Sequence, residues 1–296
     1  MMQNKHEDSI TTHSANNKDT VDFNEDKKQS SQIKTKGRDR RKLLFQILAG
    51  TISISSFLLI WQLSTTFTGL GDLMPGPFKV LTAFFLSFTQ KIGKYTILQH
   101  TWFSLVRVLV AYTAALILGV TLGMGMGRIK LIEAIFRPFY EVIRPIPPIA
   151  WISLSILWFG LGEMTKYFII FLSAFASITY TAFSGTRAVN SQLIGAAKML
   201  GANDRQVFTT VILPASVPYI FAGMQVAISS SWATVVAAEM VRSSEGLGWI
   251  IVSGMEVNNM QQILVGIVAI GIMGFVLEII LHEVELVLFS WNRGGV

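Results

Sequence analysis

Apolar residues in this chain come in long blocks, not in the alternation of half-buried strands. After a polar lead over positions 1–42, apolar runs cover 43–63, 105–126, 145–160, 167–184, 217–240 and 262–282. A helix that crosses a hydrocarbon core needs about 20 mostly apolar residues. The pattern therefore predicts an all-α membrane protein, a bundle of six transmembrane helices. The third run is the shortest: it opens with Arg144-Pro145-Ile146-Pro147-Pro148 and is solidly apolar only from Ile149. Proline is tolerated in a first helical turn, where the missing N–H has no partner to lose. After the first span, Leu73-Met74-Pro75-Gly76-Pro77 reads as a turn. An amphipathic stretch near Val80 to Phe88 then reads as a helix on the membrane surface.

Charge sharpens this picture. Asp, Glu, Lys and Arg make up only 14% of the 296 residues, against about 25% in soluble domains. Of the 42 charged side chains, 17 lie within positions 1–42, so the remainder has too few to coat a water-soluble globule. Positions 1–42 are polar, lack an apolar period and cannot repay the cost of ordering. They are expected to form a disordered cytoplasmic tail ahead of a transmembrane domain over 43–296. The polar lead is too long, and the run from Leu43 to Leu63 too extended, for a cleaved secretory signal. With six spans and an internal N-terminus, the inside segments hold 18 Lys and Arg and the outside segments five, with Arg107 near the outer end of the second span. The positive-inside rule thus supports six spans with both termini cytoplasmic in a cell membrane. The net charge of +6 is explained by these flanking bases and implies no nucleic acid.

Catalytic chemistry is mostly missing. The absence of cysteine removes disulfides, thiolate metal sites and cysteine nucleophiles. His6, His13, His100 and His282 show no metal-binding spacing, and no phosphate-cradling P-loop exists. Gly69-Leu70-Gly71-Asp72 superficially matches an intramembrane aspartyl protease motif, but no second Asp lies in any span. No cofactor, metal or catalytic residue is expected, and any energy for transport must come from a partner or an ion gradient. The intramembrane acids are few, Glu239 and Glu278. An ion-coupled carrier is expected to hold ionisable groups near the midplane, which weighs against that class.

The predicted cytoplasmic segment after the fourth span is the most informative. Leu193, Ala196, Ala197 and Leu200 share one face of a helix over 191–200. Gly201 suits the left-handed position that ends a helix. Asn203 or Asp204 then caps a second helix carrying Val207, Phe208 and Val211, and Pro214 leads into the fifth span. Such a hairpin is either a rigid knob that docks into another protein or an amphipathic element packed on its own bundle. In the fifth span, Ser229, Ser230, Ser231 and Thr234 beside Trp232 make an unusually polar stretch. These hydroxyls either line a translocation path or bond backbone carbonyls and a neighbouring helix. Glu239, at the outer end, is a candidate gate or anchor. Gly119, Gly123 and Gly127 recur every four residues in the second span, a spacing that lets helices approach closely; glycine is also simply common in membrane helices.

Gly195-Ala196-Ala197, three residues, Gly201, nine residues, then Val211-Ile212-Leu213-Pro214 resembles the EAA loop of ABC-importer permeases. Ala196, Ala197, Gly201, Leu213 and Pro214 match, while Gly195 replaces the Glu and Val211 the Ile. Arg144-Pro145-Ile146-Pro147-Pro148-Ile149-Ala150-Trp151 and Trp158-Phe159-Gly160-Leu161-Gly162-Glu163 resemble segments of taurine-type permeases. So do Trp232-Ala233-Thr234-Val235-Val236-Ala237-Ala238-Glu239 and Gly246-Leu247-Gly248. The likeness runs from about residue 70 to the end. It implies a type I importer permease with a cytoplasmic coupling-helix loop, paired as a homodimer in the bilayer. An ABC ATPase dimer would sit below and an external substrate-binding protein would deliver the cargo. The implied cargo is taurine or a related sulfonate, with nitrate, bicarbonate and thiamine precursors as alternatives in the wider group.

Overall fold

The computed structural model describes residues 45–241 and 243–288. The expected polar tail, 1–42, lies outside them. The chain divides into two compact units between Gly71 and Asp72. The first holds α1, Phe45–Phe67, predominantly apolar.

The second unit begins with α2, Pro77–Leu86, a short apolar helix with proline in its first turn. Helix α3, Ile97–Arg128, follows; the Gln99 side chain accepts the Thr96 N–H at 3.0 Å and so fixes its start. Its 32 residues span about 48 Å. Next come α4, Lys130–Ile143, and α5, Pro148–Phe159, bent by 91° relative to each other. Helix α6 is Glu163–Ala188 and α7 is Ser191–Met199. Helix α8 runs over Asp204–Met240, followed by α9, Leu247–Glu256, and α10, Met260–Leu288. Five of these helices (α1, α3, α6, α8 and α10) are long and apolar enough to cross a membrane, and six spans result if α4 and α5 form one broken span.

Here the structure departs from the sequence pattern. That pattern puts the third span at 145–160, with 127–144 as a connecting segment. Instead, residues 130–143 form a helix of their own, and the apolar helix beyond them, α5, is too short to cross alone. Proline at 145, 147 and 148 removes successive N–H donors and forces the preceding residues out of helical geometry. The hairpin's second helix also does not stop before the fifth span. A π turn at Phe208–Ile212 joins the two, just ahead of Pro214, which has no N–H to give to a regular ladder.

The core sits where α6 packs along both α3 and α8. Val108, Ala111, Tyr112 and Ala115 meet Ile170, Ala174 and Ile178, with Ala227, Trp232 and Val235 closing the layer. Small residues let the backbones approach. A Cβ on Gly123 would lie 2.5 Å from the Thr179 carbonyl oxygen, and one on Gly127 would lie 2.6 Å from Thr186 Cβ. The glycine repeat in α3 is therefore a packing seam against α6, of the small-residue kind.

Candidate functional site

One end of the bundle carries an exposed hairpin. The Asn190 side chain accepts the Gln192 N–H at 2.9 Å and starts α7. Gly201 ends it with φ +86°, a conformation that costs a side-chain-bearing residue about 1–2 kcal/mol. Asn203 and Gln206 then exchange backbone and side-chain hydrogen bonds, 2.8 and 2.9 Å, and start α8. Gly195 and Ala196 are exposed, Ala197 is half-buried, and Met199 and Leu200 are 85% and 90% exposed. This apolar tip has nothing of its own described chain to pack on. The hairpin is held from beneath: Asp204 pairs with Lys198 and with Arg128 at the end of α3, both at 3.1 Å.

Partway along the bundle, α3, α4, α5, α6 and α8 line an open cavity of about 630 Å³. Aromatic rings of Phe136, Phe139, Tyr140, Trp151, Phe171, Phe175 and Tyr180 line it among aliphatic side chains, and Ser173, Ser177 and Ser230 add hydroxyls. A second cavity, of about 880 Å³, lies between α8 and α10; Ser229 and Ser230 face it together with Glu278, Glu283 and Glu285. Ser230 therefore sits on the wall between a space without acids and a strongly acidic one.

The opposite end of the bundle holds an ion network built on buried Arg107, Lys166 and Glu239, with Glu163 and Glu245 partly exposed. Glu239, fully buried in α8, accepts Arg107 Nη1 at 2.8 Å and Ser104 Oγ at 2.8 and 2.9 Å. It also accepts the Gly248 N–H at 2.9 Å, so its carboxylate caps the N-terminus of α9, where the helix dipole favours an anion. Arg107, only 3% exposed, grips Glu163 through two bonds of 2.6 and 2.9 Å and reaches Glu245 at 3.1 Å. Lys166 adds bonds to Glu163 and Ser243 at 2.7 and 2.9 Å. His100 accepts the Gly246 N–H on Nδ1 at 3.1 Å, so Nε2 carries the proton and donates to the Ile92 carbonyl at 3.0 Å. Its ring stacks on Trp249. Gly246, with φ +110°, leaves room for the Glu239 carboxylate where a Cβ would overlap it. Four separate segments are thereby tied at one point.

The residues singled out from sequence separate accordingly. Gly195, Ala196, Ala197 and Gly201 share the exposed hairpin, whereas Leu213 and Pro214 start the regular part of α8 beyond the π turn. Of the polar stretch, Ser229 and Ser230 face cavities. Thr234 bonds Ser173 Oγ at 3.1 Å and the Ser230 carbonyl at 2.7 Å. Ser231 is fully buried, and buried Trp232 donates to the Ile270 carbonyl at 3.0 Å. Glu239 belongs to the ion network and touches neither cavity. In the sequence, Arg107 and Glu239 stand apart, each near the outer end of a span. Two lone opposite charges at one depth are the signal that could have found their pairing.

Long apolar helices around an aromatic-lined cavity, with a capped hairpin exposed at one end, suit a membrane-spanning protein. The chain belongs to the family of binding-protein-dependent transport system inner membrane components, which its residues 115–284 match. It is 34% identical over 245 residues to the taurine transport system permease protein TauC of Escherichia coli, covering 82% of this chain and 88% of that one. It is 29% identical to the nitrate import permease protein NrtB of Synechocystis, covering 79% of this chain and 86% of that one. The bicarbonate transport system permease protein CmpB of Synechococcus elongatus is likewise 29% identical, with 80% and 88% covered. The fold is that of the inward-facing methionine ABC transporter MetNI (TM-score 0.53, 18% identity, 62% of this chain and 91% of that chain). The chain is thus a multi-pass membrane subunit of an ABC importer, non-catalytic, and its family implies ATPase and binding-protein partners.

Proposed function

We propose that this permease subunit moves a small organic anion, taurine or a related sulfonate, into the cell. The observation that carries the reading is the 34% identity to a taurine permease over most of both chains, against 29% for the nitrate and bicarbonate permeases. In this reading two copies pair around a central path, and an external binding protein delivers cargo at the end closed by Arg107 and Glu239. Both termini and the hairpin face the cytoplasm, as the distribution of basic residues favours. The exposed tip from Gly195 to Gly201 fits a groove on each ATPase, and Leu213 and Pro214 transmit its movement into α8. ATP-driven closure of the ATPase dimer draws the two hairpins together and opens the path outward, and hydrolysis reverses it. This is alternating access driven by contacts that differ between two states. Ser229 and Ser230 offer weak hydroxyl solvation along the path, while Ser231, Trp232 and Thr234 shape the helix behind them.

The test starts from the partner complex purified in mild detergent, with its ATPase and binding protein. Taurine and alkanesulfonates should raise the binding protein's melting temperature, and proteoliposomes should take up taurine only with ATP. A binding protein stabilised by nitrate or bicarbonate alone would transfer the assignment to those anions, the second reading, which the nitrate and bicarbonate permeases among the relatives favour. Uptake that survives without ATP and collapses with an ion gradient would make the chain an ion-coupled carrier and end the proposal.

A further inference from the structure

We infer that Arg144 is the anion-recognising residue of the aromatic-lined cavity, taking the sulfonate or other oxyanion group of the cargo on its guanidinium fork. This deepens the importer reading above and rests on it. Arg144 is the only charged residue among the cavity's lining residues. Its guanidinium carbon lies 3.9 Å from the centroid of the Tyr180 ring, a cation–π contact that holds and orients the group without neutralising it. Among the described residues no carboxylate lies within ion-pair distance of it. The two acids of the preceding helix are committed elsewhere. Glu133 pairs with Arg137 and Arg187, at 3.0 and 2.8 Å, and Glu141 pairs with Arg137 at 2.8 Å.

Arg144 is exposed, so its charge is open to a ligand that enters the cavity. The cavity's free donors supply the rest of a cradle. The Ser177 and Tyr180 hydroxyls and the Trp151 indole N–H all lie on its wall, with no hydrogen-bond partner among the described residues. A planar guanidinium matches an oxyanion bidentately, which a lysine ammonium does not. Aromatic walls around one cation also bind a small anion less strongly than a closed cage of donors would, as passage requires. The cavity between α8 and α10, lined by Glu278, Glu283 and Glu285, repels the same cargo, so recognition is confined to one side of Ser230.

The experiment uses the complete transporter in proteoliposomes with radiolabelled taurine, and with nitrate as a second probe. Arg144→Gln should lower taurine uptake roughly tenfold or more, the scale of losing one charge-assisted contact, while Arg144→Lys should fall between the two. A second readout exploits the lack of cysteine in this chain. Ser177→Cys should be labelled by a methanethiosulfonate reagent. Taurine or ethanesulfonate should slow that labelling and ethylamine should not, and Arg144→Gln should abolish the protection. Uptake within about twofold of wild type in Arg144→Gln, or equal protection by ethylamine, overturns the inference. If the glutamine variant fails to assemble, labelling in the Arg144 parent decides alone: protection by the sulfonates but not the amine upholds the inference, and any other pattern overturns it. A wild type that imports no anion removes the importer reading and this inference with it; an importing wild type with an indifferent Arg144→Gln variant removes only the inference.

Discussion

The two ends of the bundle solve opposite problems with similar residue types. At the Glu239 end, five ionic side chains, the His100 ring, two hydroxyls and the amides of Gly246, Leu247 and Gly248 satisfy one another. At the hairpin end, ion pairs are few and exposed, and the most prominent side chains, Met199 and Leu200, are apolar and touch almost nothing. One end is complete within the chain. The other is built to be completed from outside. Charges buried together lock a geometry because removing any one strands the others, whereas exposed pairs position a surface without committing it.

The largest effect expected from breaking this contrast is at Arg107. Arg107→Met leaves Glu239 fully buried without its counter-charge and Glu163 without its two-bond clamp. It should cost about 3–5 kcal/mol, read as a sharp loss of assembled complex and of thermal stability in detergent. Adding Glu239→Gln to it should recover part of that loss, because no unpaired buried charge then remains at that position. Additive losses in the double variant would show that the two side chains do not act as a unit. Next comes the seam. Gly123→Val drives a side chain into the Thr179 carbonyl and Ala182, both on a helix that cannot easily yield, and should cost about 1–3 kcal/mol by the same melting assay. At the hairpin end, Gly201→Val meets no neighbour within 4 Å and suffers only the strain of φ +86°, about 1–2 kcal/mol. Its signature should be functional: ATP hydrolysis persists while uptake falls. Coupled uptake at the normal rate would remove the turn from the transmission path.

These unequal effects parallel what is legible in the sequence. Apolar blocks of membrane-crossing length declare spans by composition alone, so α1, α3, α6, α8 and α10 are visible, with ends displaced by a few positions or by a whole hairpin. Gly201 and Asn203 declare a helix end and a helix start because local backbone chemistry selects those residues. Helix α4 is not legible as a helix. Its charged face, with Arg137 between Glu133 and Glu141 at helical spacing, reads as a connecting segment when apolar length is the criterion. Helix α9 is hidden by its ten residues, too few to span. The ion network stays hidden because Arg107 and Glu239 are 132 positions apart, and only the bundle brings them to one depth. Arg144 reads as a flanking base, since the packing of its guanidinium on the Tyr180 ring depends on a 91° bend that leaves no mark beyond the prolines.

The smallest effect sharpens the comparison most. Asp204→Asn deletes the carboxylate that joins Lys198 and Arg128 under the hairpin. The group is exposed, water competes for all three charges, and salt screens them. The substitution leaves the Asn203–Gln206 cap untouched, so the helix starts where it did. The melting temperature of the complex should not change measurably. What should change is the precision with which α7 stands on α3, because Asp204 is the only described side chain tying Lys198 of α7 to Arg128 of α3. The expected readout is a modest fall in uptake per ATP hydrolysed at low ionic strength. That fall should disappear at high salt, where the wild-type pairs are screened as well. A marked loss of thermal stability would mean that the hairpin end is pinned as firmly as the Glu239 end, and the division between a locked end and an open one would no longer describe the molecule.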